Sequence, residues 1–576
     1  MRKPLGYVVL TGLLLMSASL HTSVAEKRVN EKVSAYSEQL ILHIDKPLHL
    51  VGERIYFKVY AVAMTEGSVQ SSLSRVAYLE LLDRTNTPVI QLKIALNNGS
   101  GSGILDIPKH LRTDYYVLRA YTNWMKNSGP SGFFHQVQAI VNPFVPIGSR
   151  NATGDPVEIS GVDDLSTDQR FVIRSTVDAP VYGKREKVAL QLSTRNRSEK
   201  PIGAELSVSV YRMDELQRVG SEKGQQFVGD PIAPVTIGGE AQYAIEKEGP
   251  LITGKIVDRS TGQAKKGVNA YLSAIGDPSV LCMAVSDDTG RVVFNPPRLV
   301  GHLEGVVQFV DADSSSRIML ENPFSESYLN RPLPEISLSP ALDSLLNAYS
   351  IQTQLDVVFR HRDTAATPVY RPFYGEADKT YRLEDYTQFA TLREIFREYV
   401  LEVAPRGVDD DLTLRLLNKA DGYMFERNPL MLYDGVPVLE AHKLMALNPQ
   451  EIEWVDVVTA RYYHGNAEFD GILSFKSHQG NFHRSLFNPN ALVVDMMGTQ
   501  PATANGFPAY VPGDRRERIP DLRSTLYWNP SVHTDSLGVV SVEFFTSDIG
   551  GTFAVVVQGI DATGQRGDQL FTFEVK

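Results

Sequence analysis

Apolar and polar residues alternate with a period of two over much of the chain, which predicts half-buried strands. Leu40, Leu42 and Ile44 form one such set, and Ile55, Phe57, Val59 and Ala61 form the next after Pro47 and Gly52. Arg54, Tyr56 and Lys58 are expected on the opposite face. Further strands are predicted at 76–82, 115–121 and 135–141, which gives a sandwich over 36–145. Gly99-Ser100-Gly101-Ser102-Gly103 is expected to be a flexible loop, because no helix with a lysine follows to make a phosphate cradle. A second β segment over 165–245 contains the alternating sets Val188, Leu190, Leu192 and Leu206, Val208, Val210. A third, smaller sandwich over 249–318 is punctuated by turns at Thr261-Gly262 and Asp288-Thr289-Gly290.

The pattern then changes. Residues 319–385 are expected to be a partly helical linker, in which Leu342, Leu345, Leu346 and Tyr349 fall at helical spacing. Residues 386–481 alternate helix and strand: Thr391 stands three before Glu394 as in a capping box, and Leu392, Ile395, Phe396 and Tyr399 make one apolar stripe. Strands follow at 412–417, 430–438 and 452–459, with a last one after Asp470-Gly471. Asp434-Gly435 is predicted to be a tight hairpin turn, and Gly465 and Gly471 mark sharp turns. Residues 482–524 are expected to be a linker and 525–576 a last β unit. The predicted class is therefore mainly β, tandem sandwiches with one small α+β domain.

Composition adds the compartment. Arg2 and Lys3 precede the apolar run Tyr7–Met16, and Ser23-Val24-Ala25 offers small residues for cleavage, so 1–25 has the layout of a secretory signal. A retained anchor is the alternative, disfavoured because no stop-transfer pattern follows. No later segment resembles a transmembrane helix. The chain is thus expected to be exported, to the periplasm or to an outer-membrane-associated position, with the cell surface as the alternative. A net charge of −11 over 576 residues argues against nucleic acid as a partner. Cys282 is the single cysteine, in the apolar run Val280–Val285. It can form no internal disulfide and is expected to be a buried strand residue.

Three segments resemble known families. Asp45-Lys46-Pro47-Leu48-His49-Leu50-Val51-Gly52-Glu53 resembles the opening of an alpha-2-macroglobulin-type domain, with Val51 where that family usually has proline. Tyr116–Met125 is similar to that domain's closing strand, and Leu526–Pro530 with Thr534, Asp535 and Gly538 to another of its strand pairs. Thr253–Asp258, Thr261-Gly262 and Asp288–Gly290 resemble a carboxypeptidase regulatory-like domain, an accessory sandwich without a zinc site. Pro429–Val438, Leu447–Val458, Tyr463-His464-Gly465 and Asp470–Phe475 resemble the plug domain of a TonB-dependent outer-membrane receptor. A barrel of that class needs about 22 strands of about 10 residues after the plug. The remaining residues are too few, so transport by this chain alone is not expected. The combination is similar to large exported proteins of the Bacteroidetes type.

Candidate chemistry is sparse. A macroglobulin thioester needs a Gln three residues after its Cys, and Val285 stands there. There is no Gly-x-Ser-x-Gly elbow and no His-Glu-x-x-His helix. His478 and His483 have no evident third ligand, and Asp163-Asp164 and Asp409–Asp411 read as solvated turns. No catalytic residue, cofactor or metal is expected. The expected function is non-catalytic binding and scaffolding in the cell envelope, docking with an outer-membrane barrel or its substrate. A surface adhesin or nutrient-binding protein is the alternative, and an enzyme of unfamiliar type a third. Arg461-Tyr462-Tyr463-His464 is the candidate contact loop; packing of these rings inside the fold is the competing reading.

Overall fold

The computed structural model describes residues 36–576 except 66–67, 145–170, 225–240, 276–278, 298, 311–314, 331, 337, 360–371, 466, 479, 481–483, 489, 503–506, 508–509 and 511–518. The signal-like segment, Asp163-Asp164 and His483 lie outside the described residues. The protein is mostly β, built from several sheets. It divides into two units, residues 1–247, 325–363 and 502–576, and residues 248–324 and 364–501.

In the first unit, residues 37–141 form two sheets. One joins Ser37–Ile44, Arg54–Thr65, Ser68–Ser71 and Ser100–Asp106. The other runs Leu48–Leu50, Phe134–Val141, Asp114–Tyr121, Val76–Leu82, Pro88–Ala95. Ser37–Ile44 packs against strands of the second sheet. The glycine-rich segment is thus an edge strand rather than a loop, paired Val59 to Gly101 and Phe57 to Gly103. Glycine is required because a Cβ at Gly101 would run into the Ala95 carbonyl.

The Asp45–Glu53 motif is a turn held by hydrogen bonds within it and to its surroundings. Glu53 accepts from the Leu50 amide (2.8 Å) and from Lys46 Nζ (2.9 Å). Asp45 accepts from the Tyr56 amide (2.9 Å) and meets His49 Nε2 at 3.1 Å. Gly52 takes the left-handed φ of 84° that closes it.

The β segments expected as separate units at 165–245 and 525–576 share one sandwich. Phe171–Val177, Lys187–Asn196 and Val539–Phe545 make one sheet. The other runs Val181–Tyr182, Arg566–Val575, Gly551–Asp561, Ala204–Arg212, Thr525–His533. Their apolar faces form a single core containing Leu190, Leu206, Val542, Phe553 and Phe573. The reason is hydrophobic: neither half covers its own apolar face, and each supplies the surface that buries the other.

This composite sandwich covers the polar side of Arg54–Thr65 at Lys58 and Tyr60, so residues 57–63 of that strand are buried on both faces. Lys58 meets Glu205 at 2.5 Å, and the Tyr60 hydroxyl donates to Ser207 Oγ at 2.9 Å. His43 Nδ1 lies 2.6 Å from the same Ser207 Oγ. Helix α1 (Glu215–Gly224) inserts Leu216 beside Leu48, and the Gln217 amide pairs with both the N–H and the carbonyl of Leu48. Helix α2 (Asp343–Phe359) buries Leu346 and Tyr349 on the same cluster, following the predicted helical spacing.

Five turns share one form. Asp83, Asn196, Asp287, Asp535 and Asp561 each accept, through Oδ1, the amides two and four residues on. The fourth residue in each, Asn86, Glu199, Gly290, Gly538 or Gly564, has positive φ. A short carboxylate or amide at the first position and a left-handed fourth residue suffice to specify it.

In the second unit, Arg291–Phe294, Ile252–Asp258 and Ser316–Leu320 face the sheet Val280–Val285, Asn269–Ile275, His302–Phe309, Leu492–Met497 around one core. The last of these strands lies in the expected linker 482–524. It completes the sheet because Gly305 leaves room for the Met496 side chain. The remaining residues build a mixed sheet in the order Lys379–Arg382, Ile452–Val458, Ile472–Ser477, Leu430–Tyr433, Val436–Pro437. Its first strand was expected in the linker 319–385; it pairs with Ile452–Val458 through Tyr381 and Val455. Helices α3 (Leu392–Glu398) and α4 (Ala441–Met445) contribute to the core with Phe396 and Leu444. Thr391 and Glu394 form the capping box the spacing predicts.

Candidate functional site

The four nominated contact residues lie on a two-stranded hairpin, Tyr462–His464 against Ala467–Phe469, with Gly465 in its turn at φ 57°. Arg461 is exposed but tied back to the hairpin, its side chain 40 % accessible. Its guanidinium meets Glu468 at 2.8 Å and Asp470 at 3.7 Å, and it lies 5.6 Å from the centre of the Phe425 ring. Arg427 holds the same two carboxylates, with two bonds of 3.0 Å to Asp470. Tyr462 packs with Phe373 and Tyr374, and burial raises the pKa of its hydroxyl. His464 Nε2 sits 2.7 Å from the Leu281 carbonyl, which requires the Nε2–H tautomer, and its ring stacks on Tyr462. Tyr463 points the other way and is 65 % exposed. Three of the four candidates therefore buttress the hairpin, and Tyr463 is the one it displays.

The predicted turn residues are structural. Asp434 (φ 48°) and Gly435 (φ 85°) close the hairpin between Leu430–Tyr433 and Val436–Pro437. The Asp434 carboxylate is buried, accepts from the Ser477 amide (3.0 Å) and hydroxyl (2.6 Å), and pairs with Lys476 at 3.0 Å. A Cβ at Gly435 would lie 2.8 Å from Ser279 Cβ, so close approach as well as φ fixes this glycine. Gly471 (φ 85°) precedes the central strand, and a Cβ there would meet Leu416 and the Val458 carbonyl.

Cys282 is a buried residue of Val280–Val285, and burial, with the charge of Glu248 second, pushes its thiol up to about 12. It is neither nucleophile nor ligand in that state. Among the described residues no group of three or more His, Cys, Asp and Glu could hold a metal. No helix among them is long and apolar enough to cross a membrane.

Sequence reasoning missed a second polar centre, in the first unit. Glu80 and Arg119 are both fully buried and pair at 2.6 Å. Tyr121 (2.9 Å) and Gln91 (2.8 Å) donate to the same carboxylate. The signal was present as one charge inside each of two otherwise apolar strands, Val76–Leu82 and Asp114–Tyr121.

No protein-family profile matches the chain, and no curated protein does. Solved structures similar to it include Escherichia coli alpha-2-macroglobulin activated by porcine elastase, at 9 % identity and a TM-score of 0.24, covering 94 % of this chain and 44 % of that one. A Salmonella alpha-2-macroglobulin mutant is similar at 11 % identity and a TM-score of 0.24, over 94 % of this chain and 40 % of that one. The Escherichia coli adhesin FdeC is similar at 10 % identity and a TM-score of 0.14, over 51 % of this chain and 66 % of that one. The chain spans less than half the length of the macroglobulin structures it matches.

Proposed function

We propose that this is a non-catalytic binding and scaffolding protein of the cell envelope, and that residues 386–481 are a plug-type domain that contacts an outer-membrane barrel or its substrate. The observation that carries this reading is the buttressed hairpin. Half-buried Tyr462 and His464 hold it from beneath, the Arg461–Glu468 ion pair ties its edge, and Tyr463 stands 65 % exposed on it. An aromatic residue on a preformed support is a strong anchor, because little conformational entropy is lost when a partner closes over it. The composite sandwich supports the scaffolding part. Residues 171–212 and 525–575 close one fold, so residues 248–324 and 364–501 are carried as insertions. The test is affinity purification of the full chain from envelope membranes, beside a Tyr463→Ala chain. A barrel protein should co-purify with the unaltered chain, and its recovery should drop at least tenfold with the variant. Recovery of the free chain alone in both cases would remove the proposal. Protease treatment of intact cells distinguishes an adhesin, which is digested, from a periplasmic protein, which is not.

A further inference from the structure

The outer face of the second sheet of the first sandwich is covered by a segment without regular secondary structure, residues 325–330 and 332–334. The bonds that hold it are made to its backbone. Arg119 donates to the carbonyls of Ser325 (2.5 Å) and Ser327 (2.8 Å). The Tyr121 hydroxyl accepts from the Ser325 amide (2.7 Å). Arg84 donates to the carbonyls of Leu333 (2.6 Å) and Pro334 (2.8 Å). One ring adds to this: Tyr328 lies 4.4 Å from the Arg119 guanidinium, on a floor where Tyr121 and Phe133 stack at 4.2 Å. Glu326, Ser327 and Asn330 are exposed.

Carbonyls at i and i+2 lie on the same side of an extended chain, so Arg119 reads an extended backbone whatever its side chains. Burying the Glu80–Arg119 pair is costly unless the remaining guanidinium protons find acceptors. The segment supplies two of them, and any extended peptide could do the same. It also underfills the groove: a cleft with about 30 Å³ of room for water-sized molecules remains between Leu329 and Leu333 above and Leu82, Val117 and Val137 below. We propose that this face is a peptide-binding groove, which the chain occupies with its own residues 325–330 and 332–334, and that an extended peptide carrying an aromatic residue can take their place. Recognition is by two main-chain carbonyls on Arg119 and one ring stacked over it.

The probe is a fluorescein-labelled peptide of residues 322–334, and the readout is anisotropy with the full chain. A Tyr328→Ala chain, which has lost its own stacked ring, should bind it saturably and at least tenfold more tightly than the unaltered chain. The same peptide with alanine at the tyrosine position should bind at least tenfold more weakly. Hydrogen exchange on the unaltered chain provides a readout independent of any variant: excess unlabelled peptide should speed exchange of residues 325–330. Absence of saturable binding to a folded Tyr328→Ala chain, equal binding of the alanine peptide, or unchanged exchange at 325–330 would each overturn the proposal. A Tyr463→Ala chain should bind the peptide as the unaltered chain does, so this result and that of the hairpin experiment are independent.

Discussion

Removing residues 525–576 should unfold strands that lie more than three hundred positions earlier. Nine of the nineteen buried apolar residues in the composite core come from this segment, among them Leu526, Val532, Phe544, Phe553, Val555 and Phe573. At about 1.5–3 kcal/mol for each buried side chain, the loss is about 14–27 kcal/mol, an upper figure because denatured chains bury some surface. A domain's whole stability is about 5–15 kcal/mol. Lys187–Asn196 would keep Phe171–Val177 but lose Val539–Phe545, and Ala204–Arg212 would lose both of its neighbours. Hydrogen exchange with mass spectrometry, comparing the full chain with one ending at residue 524, reads this directly. Amides of 187–196 and 204–212 should go from slow to fast exchange, while those of 76–82 stay slow. Retained protection at 187–212 in the shortened chain would mean that the earlier segment folds alone, and the shared core would be refuted.

Gly471→Ala forces a side chain onto a φ of 85° with its Cβ 2.5 Å from the Val458 carbonyl, whereas Gly465 (φ 57°) has open space around it. Denaturant unfolding should show a loss of about 2–4 kcal/mol for the first and about 1–2 kcal/mol for Gly465→Ala; equal losses would contradict the packing described. His43 is fully buried, and burial, with the Arg566 charge second, lowers its pKa to about 3. Its folded pKa is below the unfolded value, so the neutral ring's contribution is complete above about pH 6.5 and falls by about 1.4 kcal/mol per pH unit from there towards 3. Urea midpoints of the unaltered chain should therefore drop more steeply between pH 6.5 and 4 than those of His43→Asn. Cys282 should resist a thiol reagent at pH 7 in the native chain and react fully once the chain is denatured; rapid native labelling would show an open strand.

Local pattern made the elements legible. Alternation located the strands, the spacing of Leu342, Leu346 and Tyr349 located α2, and Thr391 with Glu394 located the start of α3. Asp434-Gly435 was readable because the turn needs two left-handed residues, which these types tolerate. Partner choice was not legible. Val188, Leu190 and Leu192 announce an apolar face but not that Val542 and Phe544 will lie beside them in the same sheet, since pairing across such a separation leaves no local trace. Residues 99–103 read as a loop because the reason for Gly101, close approach to Ala95, lies on another strand. Half of the candidate site was visible for the same reason. An exposed ring at Tyr463 and a packed ring at Tyr462 look alike in sequence until Phe373 and Leu281 are brought beneath them.

The split sandwich also sets a timetable for synthesis. The roughly 310 residues between Arg212 and Thr525 take about 15–60 s to make at about 5–20 residues per second. Throughout that interval Lys187–Asn196 exists with one edge unpaired and Ala204–Arg212 with both, presenting apolar ridges and open edges. The nascent protein must complete both insertions before this sandwich can close, so its aggregation-prone window opens with Ala204–Arg212 and lasts until the strands after Thr525 are made.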